Sequence, residues 1–179
     1  MIRSKRVLDL QRGWSDGLGV LIGWPLVTDR RRGQFPAGGQ WRNEIPIPSD
    51  NVYAINDALS VEGAADNYET CLRYLVKTKI VDISDATGFP KFDVMLLGMG
   101  PDGHVASLFH GHPLVHEKEK WVTFIRESPK PPLERITFTF PLINSSANIA
   151  LIVAGVGKAD VVHKSLGDSE SCVQLVITF

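Results

Sequence analysis

The sequence predicts an α/β domain built around a mostly parallel β-sheet. Two segments carry this prediction, because each is a continuous apolar strand that runs into a glycine-rich turn with helical sequence behind it. They are Val94–Leu97 with the turn Gly98–Gly103, and Ile149–Ala154 with the turn Gly155–Lys158. Continuous apolar strands are typical of sheet interiors covered on both faces. The repeated order of strand, turn and helix indicates parallel pairing.

A long amphipathic helix is predicted to follow Ser60, a favoured N-cap residue, with Glu62 in its first turn. One shorter helix is expected to begin within Val105–Phe109. Another is expected to follow the turn Gly155–Lys158 and to end at Leu166, before Gly167. Apolar residues of the long helix recur at helical spacing, so we expect it to lie on one face of the sheet. These residues are Ala64, Tyr68, Cys71, Leu72, Leu75 and Val76.

Three further segments are predicted to be strands. Asn51–Ile55 alternates enough for a short strand, whereas Trp121–Ile125 and Arg135–Phe140 are rich in β-branched and aromatic residues. The proline-rich segment Ser128–Pro132 separates the last two and is expected to form a stiff loop.

The composition is that of one globular domain of ordinary size. The chain has 179 residues, of which 44% are apolar and 22% are charged. No stretch approaches the roughly 18 uninterrupted apolar residues of a transmembrane helix, so no membrane span is predicted. Cys71 and Cys172 have no partner at CxxC spacing and form no disulfide framework, which favours a reduced, intracellular compartment.

The first 42 residues differ from the rest of the chain. They carry eight Arg and Lys residues against three Asp, together with three of the four tryptophans. One interpretation is nucleic-acid contact, through phosphate neutralisation by Arg30–Arg32 and stacking on aromatic rings. Another is an organelle-targeting extension, although such segments favour Ser, and only Ser4 and Ser15 occur here.

Asp102 and His104 lie on the turn that follows the first apolar strand. Open α/β sheets bind ligands at the carboxyl ends of their strands, so this pair marks a candidate site. Glycines at 98, 100 and 103 are spaced much as in a dinucleotide-binding turn, but no acidic residue ends a second strand about 20 residues later. The turn therefore favours a reactive Asp and His over dinucleotide binding.

The segment GMGPDGHVASLF (Gly98–Phe109) resembles the signature of the 6-phosphogluconolactonases. These belong to a superfamily with glucosamine-6-phosphate deaminases and proteins similar to ribose-5-phosphate isomerase. Further segments resemble the plant-type lactonases in order and spacing, so the likeness covers about residues 43 to 168. They are Ile45–Ser60, Pro131–Ser146 and Ala150–Asp160.

The resemblance implies a Rossmann-like, mostly parallel sheet flanked by helices over residues 43–179. Family members carry, before the position of Ile45, a GGS-type phosphate loop, an Asp-Glu-Arg strand and a Ser-Asn-Tyr element, and these motifs do not occur in residues 1–42. We therefore interpret residues 1–42 as a non-native or disordered segment, produced by an altered exon, a shifted reading frame or a wrong gene model. Since the family usually continues past Phe179, the fold is expected to be incomplete at both ends.

The implied activity is hydrolysis of 6-phospho-D-glucono-1,5-lactone to 6-phosphogluconate, the second step of the oxidative pentose phosphate pathway. By resemblance His104 is the catalytic base, a task that suits histidine because its ordinary titration range lies near working pH. Asp102 either orients His104, contacts a sugar hydroxyl, or makes an Asx-type bond to the turn backbone. Gly100 and Gly103 are expected to bring backbone N–H groups to the substrate, at the start of a helix.

For the substrate phosphate, Lys158 follows a strand and opens a helix, so its charge and the helix N-terminus would act together on an anion. Arg135 is the second candidate, because a guanidinium binds phosphate bidentately. The resemblance implies no cofactor and no metal, and a small sugar-phosphate lactone as partner rather than nucleic acid or a membrane. The expected location is cytoplasmic, with the plastid as an alternative, and no oligomeric state is predicted.

His110, His112 and His116 have a spacing that zinc sites can use. No Cys lies nearby and the resemblance implies no metal, so we expect a surface loop, in which His110 replaces the proline usual in the family. Two other functions stay open. One is sugar-phosphate isomerisation or deamination, although Ala106–Phe109 lacks the carboxylate that the deaminases carry. The other is a catalytically inactive lactonase fragment.

Overall fold

The computed structural model describes residues 53–56 and 58–166, together with the backbone of three short strands nearer the N-terminus. Predictions that fall on Asn51, Val52, Gly167 or Cys172 lie outside the described residues. The α-helices are α1 (Val61–Lys77), α2 (Phe140–Asn144) and α3 (Ala159–Leu166), and short 3-10 helices cover Pro113–His116 and Val156–Lys158. The strands are β1 (Leu8–Asp9), β2 (Val20–Gly23), β3 (Leu26–Val27), β4 (Asp82–Ile83), β5 (Pro90–Lys91), β6 (Val94–Gly98), β7 (Val122–Ile125), β8 (Arg135–Phe138) and β9 (Ile149–Ile152).

The predicted α/β fold with a parallel sheet is confirmed. Four strands pair in the order β1-β2-β6-β9, and each neighbouring pair is parallel. β6 lies between β2 and β9, with Met95 and Leu97 buried on one face and Val94 and Leu96 half-buried on the other. A strand with a neighbour on each side satisfies its backbone N–H and C=O groups within the sheet, so it can consist almost wholly of apolar residues.

A second sheet is antiparallel, in the order β3-β8-β7, and β4 pairs with β5 in a separate ribbon. The strands predicted near Trp121 and Arg135 are therefore confirmed, but β8 ends at Phe138 instead of Phe140. Thr139 occupies the N-cap position of α2 without a side-chain capping bond, and its hydroxyl donates to the Lys120 carbonyl at 2.7 Å. Pro141 lies in the first turn of that helix, where the N–H that proline lacks would have no helical partner.

The predicted long helix is confirmed as α1. The Ser60 hydroxyl accepts a hydrogen bond from the Gly63 amide at 3.2 Å and caps the first turn. The helix packs against β7 and β8 through its apolar face. Of the predicted apolar positions, Cys71 and Val76 are half-buried at the margin of that face, and Ala64, Tyr68, Leu72 and Leu75 are buried.

Tyr53–Asn56 form no strand, so that part of the predicted Asn51–Ile55 strand is wrong. The Tyr53 carbonyl accepts from the Tyr68 hydroxyl at 3.3 Å. Asn56 then turns the chain toward α1, because its side chain accepts from the Ala58 amide at 3.2 Å.

The helix predicted to begin within Val105–Phe109 is also wrong. Val105 instead forms isolated β-bridges to Met99 and to Leu108. Ala106 has a φ of 53°, and this left-handed backbone interrupts a right-handed helix. The segment after β6 is therefore a loop that folds back on itself.

One hydrophobic core connects α1 with both sheets. The Phe138 ring of β8 lies with its centroid 5.9 Å from that of Tyr68 in α1 and 6.5 Å from that of Phe92, just before β6. All three side chains are fully buried, and tilted ring pairs at these separations are favourable. Among the described residues, no helix is long and apolar enough to cross a membrane.

Glu69 connects α1 to the start of β7. Its Oε2 atom accepts from the backbone N–H groups of Trp121 and Val122, both at 3.1 Å. Its Oε1 atom accepts from the Arg73 guanidinium at 2.6 Å, and that guanidinium lies 4.2 Å from the centroid of the Trp121 ring. Because two of the donors are backbone amides of largely buried residues, this carboxylate should stabilise the fold more than an exposed ion pair does.

Glu69→Ala is expected to lower the free energy of unfolding by about 1.5–3 kcal/mol, the usual net value of hydrogen bonds to a charged group. Glu127 is exposed, and Glu127→Ala serves as the control, with an expected change within about 0.5 kcal/mol. Urea unfolding followed by circular dichroism measures both. Equal stability of the two variants would contradict the connecting role of Glu69.

Candidate functional site

The loop that follows β6 begins at the carboxyl edge of the parallel sheet. β6 and β9 end side by side there, because Gly98 pairs with Ile152. The Gly100 amide donates to the His104 carbonyl at 2.9 Å, and the Gly103 amide donates to the Gly100 carbonyl at 3.0 Å. Gly103 has a φ of 84°, which favours glycine. Two of the loop amides are thus already engaged. The helix that was expected to begin at this loop and to supply further amides is not formed.

Asp102 and His104 form a hydrogen-bonded pair on this loop. His104 Nδ1 lies 2.7 Å from Asp102 Oδ1, and the His104 side chain is 12% exposed. The Asp102 side chain is 39% exposed, so the pair lies at the surface with the imidazole the more covered partner. The geometry brings together the two residues that the sequence singles out at this turn.

Gly100 makes room for the pair. A Cβ atom placed on Gly100 would lie 2.2 Å from both Cε1 and Nδ1 of His104, and 2.6 Å from Asp102 Oδ1. These separations are far below van der Waals contact, so any side chain at position 100 would displace the imidazole or the carboxylate. Gly100 is therefore required by the close approach of two side chains.

Lys130 is a second partner of Asp102. Its Nζ atom lies 2.8 Å from Asp102 Oδ1, the same oxygen that contacts His104. Burial alone would raise the pKa of Asp102, but hydrogen bonds from Lys130 and then from His104 more than offset it and hold that pKa below the ordinary value. An ionised carboxylate can only accept, so His104 Nδ1 must carry the proton, and Nε2 of a neutral ring is then free to accept one.

Phe109 and Arg135 complete the surroundings of His104. The Phe109 ring centroid lies 4.4 Å from that of His104, and the Arg135 guanidinium carbon lies 5.4 Å from the same Phe109 ring. Arg135 is 4% exposed, and burial lowers its pKa while the Asp102 carboxylate acts in the opposite direction.

The donors of Arg135 are directed at the loop that precedes β8. Nε donates to the Pro132 carbonyl at 2.9 Å, and Nη2 donates to the carbonyls of Lys130 at 2.7 Å and Pro131 at 3.0 Å. The structure thus places Arg135 next to the Asp102 pair, but with these donors engaged by the backbone.

Lys158 lies on the loop after β9, at the same sheet edge as the β6 loop. It ends a 3-10 helix and immediately precedes α3, and its side chain is half-buried. Within the described part of the chain, its ammonium has no hydrogen-bond or ion-pair partner. No contact of Lys158 with Asp102 or His104 is seen among those residues either.

The three other histidines of the 110–116 segment lie beyond the β6 loop. His112 Nδ1 accepts from the Leu114 amide at 3.2 Å and so caps the 3-10 helix Pro113–His116. His110 and His116 are exposed. Of the residues described, no three His, Cys, Asp or Glu side chains are grouped so that they could hold a metal ion.

Sequence reasoning missed Lys130 and Phe109 at this site. The sequence predicts only a stiff proline-rich loop around Lys130, and no spacing rule connects this lysine with a carboxylate on a different loop. For Phe109 the sequence predicts only an apolar residue of a helix. The proline-rich loop was the available signal, since a stiff segment entering a strand can hold a side chain at a sheet edge.

A parallel α/β sheet with polar side chains on the loops after its strands defines the class of proteins that bind small molecules at this edge. Residues 27–177 match the family described as glucosamine-6-phosphate isomerases/6-phosphogluconolactonase. The chain belongs to this family.

Several relatives carry lactonase names. The chain is 65% identical over 134 residues to "Probable 6-phosphogluconolactonase 4, chloroplastic" of Oryza sativa subsp. indica. The aligned residues cover 75% of this chain and 41% of that protein. The chain is 67% identical over 124 residues to "6-phosphogluconolactonase 3, chloroplastic" of Arabidopsis thaliana, covering 69% of this chain and 38% of that protein. The chain therefore spans about two fifths of the length of these curated relatives.

Solved structures show the same likeness. The 6-phosphogluconolactonase of Thermotoga maritima is 33% identical with a TM-score of 0.56, over 71% of this chain and 51% of that one. The 6-phosphogluconolactonase of Leishmania guyanensis is 26% identical with a TM-score of 0.63, over 83% of this chain and 62% of that one.

Gly100→Ala is expected to separate His104 from Asp102, because the added methyl group would overlap both side chains. Nitrogen-15 NMR of the imidazole measures this, since loss of the hydrogen bond leaves the ring as a mixture of two tautomers. Gly157→Ala is the matched control, because a Cβ there meets nothing within 4 Å. A single, Nδ1-protonated tautomer in Gly100→Ala would contradict the packing argument.

Proposed function

We propose that the site hydrolyses a sugar-phosphate lactone, 6-phospho-D-glucono-1,5-lactone, to 6-phosphogluconate. The observation that carries the proposal is the hydrogen bond of His104 Nδ1 to the ionised Asp102 on a loop at the carboxyl edge of the sheet. Membership of the family and the lactonase names of the relatives support it. On this proposal the protein acts in the second step of the oxidative pentose phosphate pathway.

His104 acts as the general base. Its Nε2 atom takes a proton from water while the water oxygen attacks the lactone carbonyl, and a tetrahedral oxyanion forms. When the intermediate collapses, the bond between the carbonyl carbon and the ring oxygen breaks, and the proton on Nε2 passes to that oxygen. The product is an open-chain acid with a new hydroxyl, and His104 returns to its starting form.

Asp102 holds the imidazole in the tautomer that this cycle needs, and Gly100 and Gly103 shape the loop that presents it. The oxyanion must take its hydrogen bonds from donors other than the amides of Gly100 and Gly103, because these donate within the loop. This chemistry consists of one addition, one elimination and two proton transfers, and none of these steps uses a cofactor or a metal.

The substrate phosphate is assigned to Lys158. Lys158 lies on the loop after β9, which leaves the same sheet edge as the β6 loop, and it immediately precedes α3. Arg135 can add positive potential from beneath the site, while its Nε and Nη2 donors stay with the loop carbonyls.

The chloroplastic names of the plant relatives favour the plastid over the cytoplasm as the location.

Sugar-phosphate isomerisation or deamination is the second candidate within the family. It requires a carboxylate to assist ring opening, and the stretch Ala106–Phe109, with its buried side chains, supplies none. A binding-only protein, that is, a catalytically inactive lactonase fragment, is the third candidate, because residues 1–42 lack the GGS-type phosphate loop and the Asp-Glu-Arg strand that the resemblance implies.

His104→Gln is expected to lower kcat for the freshly generated phosphorylated lactone by about 100-fold or more, because a positioned general base contributes roughly 10²–10⁴-fold. Asp102→Asn is expected to have an effect of the same size, because Asp102 holds the imidazole in the tautomer that can act as the base. Rates are measured with the 179-residue chain above spontaneous hydrolysis. His116→Gln is the control, since His116 is exposed on the neighbouring 3-10 helix.

The outcomes separate the candidates. Hydrolysis that disappears with His104 and persists in His116→Gln supports the lactonase. A folded wild-type chain with no hydrolysis above the spontaneous rate, tested also with glucosamine 6-phosphate, would leave the isomerase or the binding-only protein.

Lys158→Met is expected to lower kcat/KM for the phosphorylated lactone by roughly 10–100-fold, which corresponds to the loss of a hydrogen bond to a charged group. Unphosphorylated glucono-1,5-lactone should be hydrolysed at the same rate by the variant and the wild type. Lys164→Met, on the exposed side of α3, is the matched control. An equal loss with both lactones would place the phosphate elsewhere.

A further inference from the structure

Lys130 contacts the Asp102–His104 pair from a distant part of the chain. Its Nζ atom and His104 Nδ1 both donate to Asp102 Oδ1, at 2.8 and 2.7 Å. Because both bonds end on one oxygen, the ammonium lies at most about 5.5 Å from the imidazole nitrogen, the sum of the two bond lengths. At that separation two charges interact strongly even at a partly hydrated surface.

The loop that carries Lys130 is held in place by its own backbone bonds. The Ser128 amide donates to the Leu133 carbonyl at 2.9 Å and closes the loop. Arg135, buried beneath it, donates to the Lys130 carbonyl at 2.7 Å. A flexible side chain thus starts from an ordered backbone position, which lowers the entropy lost when its ammonium binds Asp102.

A carboxylate beside a histidine has two effects that oppose each other in a general base. It orients the ring, and it also attracts a proton to it, so that an uncompensated Asp102 would favour the imidazolium form, in which Nε2 cannot accept from water. A cation on the same carboxylate oxygen cancels the attraction and leaves the hydrogen bond intact. In the described contacts, the charged groups around His104 are Asp102 on its own loop and Lys130 and Arg135 from the segment that enters β8.

We propose that Lys130 is a positioning residue that neutralises Asp102, so that Asp102 orients His104 without holding it in the protonated form. Its effect on the imidazole follows from geometry and charge alone. Its effect on catalysis rests on the proposed lactonase function, in which His104 must be neutral to accept a proton. Lys130 itself touches Asp102 and transfers no proton in the reaction.

The test compares Lys130→Met, Lys130→Gln and Lys130→Arg with Lys91→Met, an exposed lysine on β5. Nitrogen-15 and proton NMR of the His104 ring is followed from about pH 5 to 9, beside kcat and KM for the lactone. In Lys130→Met and Lys130→Gln, the protonation transition of His104 and the acidic limb of kcat are expected to move to higher pH by about one unit. KM should change by less than about two-fold, because Lys130 does not bind substrate in this proposal.

Rescue by charge is the second expectation. Lys130→Arg restores the positive charge and should behave like the wild type, whereas Lys130→Gln keeps a donor without charge and should behave like Lys130→Met. Both lysine and carboxylate are 39% exposed, so the variants are expected to fold, and thermal unfolding checks this. If Lys130→Met fails to fold, Lys130→Gln decides the question.

The two proposals can fail separately. A His104 transition at the same pH in Lys130→Met, Lys130→Gln and Lys91→Met would overturn the role of Lys130, whether or not the lactone is hydrolysed. If the His104 transition shifts in the Lys130 variants but the wild-type chain hydrolyses no lactone, the role of Lys130 is upheld and the lactonase is rejected.

Discussion

The site depends on one carboxylate oxygen. Asp102 Oδ1 accepts from His104 on the loop after β6 and from Lys130 on the loop before β8. It therefore joins the parallel sheet to the antiparallel one at the edge where the candidate chemistry lies. The pair of donors keeps Asp102 ionised despite the opposing effect of burial, and an ionised Asp102 in turn determines which nitrogen of His104 carries the proton. The tautomer, the charge balance and the placement of two loops all follow from this contact.

That contact requires a backbone with little room to vary. Gly100 has no side chain because the imidazole and the carboxylate occupy the space where one would be. Phe109 packs on His104, and Ala106, three residues before Phe109 in the loop, has left-handed backbone. Left-handed backbone costs about 1–2 kcal/mol for a residue with a Cβ, and the buried surroundings of Ala106 must offset it. The hydrophobic core that contains Tyr68, Phe92 and Phe138 also includes Ala106, so the loop is anchored in the core that joins α1 to both sheets.

The sequence predicted the features that depend on local pattern. The apolar run of β6 and the glycines behind it identified the strand, the turn and the Asp102–His104 pair, and helical spacing with a serine cap identified α1. It did not predict Lys130, because no local rule reports that two loops of different sheets meet. It predicted a helix within Val105–Phe109 because that segment is apolar and follows a glycine turn, whereas Val105 pairs across the loop with Met99. Tertiary pairing overrode local propensity at the place where the site is built.

The positive charges around the site differ in what they are free to do. Arg135 offers more donors than a lysine, yet it is buried and its Nε and Nη2 donate to three carbonyls of the Lys130–Pro132 loop. A planar fork of fixed donors is well suited to that task, because several carbonyls can be held at once. Lys130 and Lys158 carry point charges on flexible stems, one directed at Asp102 and one without a partner in the described part of the chain. The guanidinium therefore holds the loop together, whereas the ammonium of Lys130 binds a single carboxylate at the site.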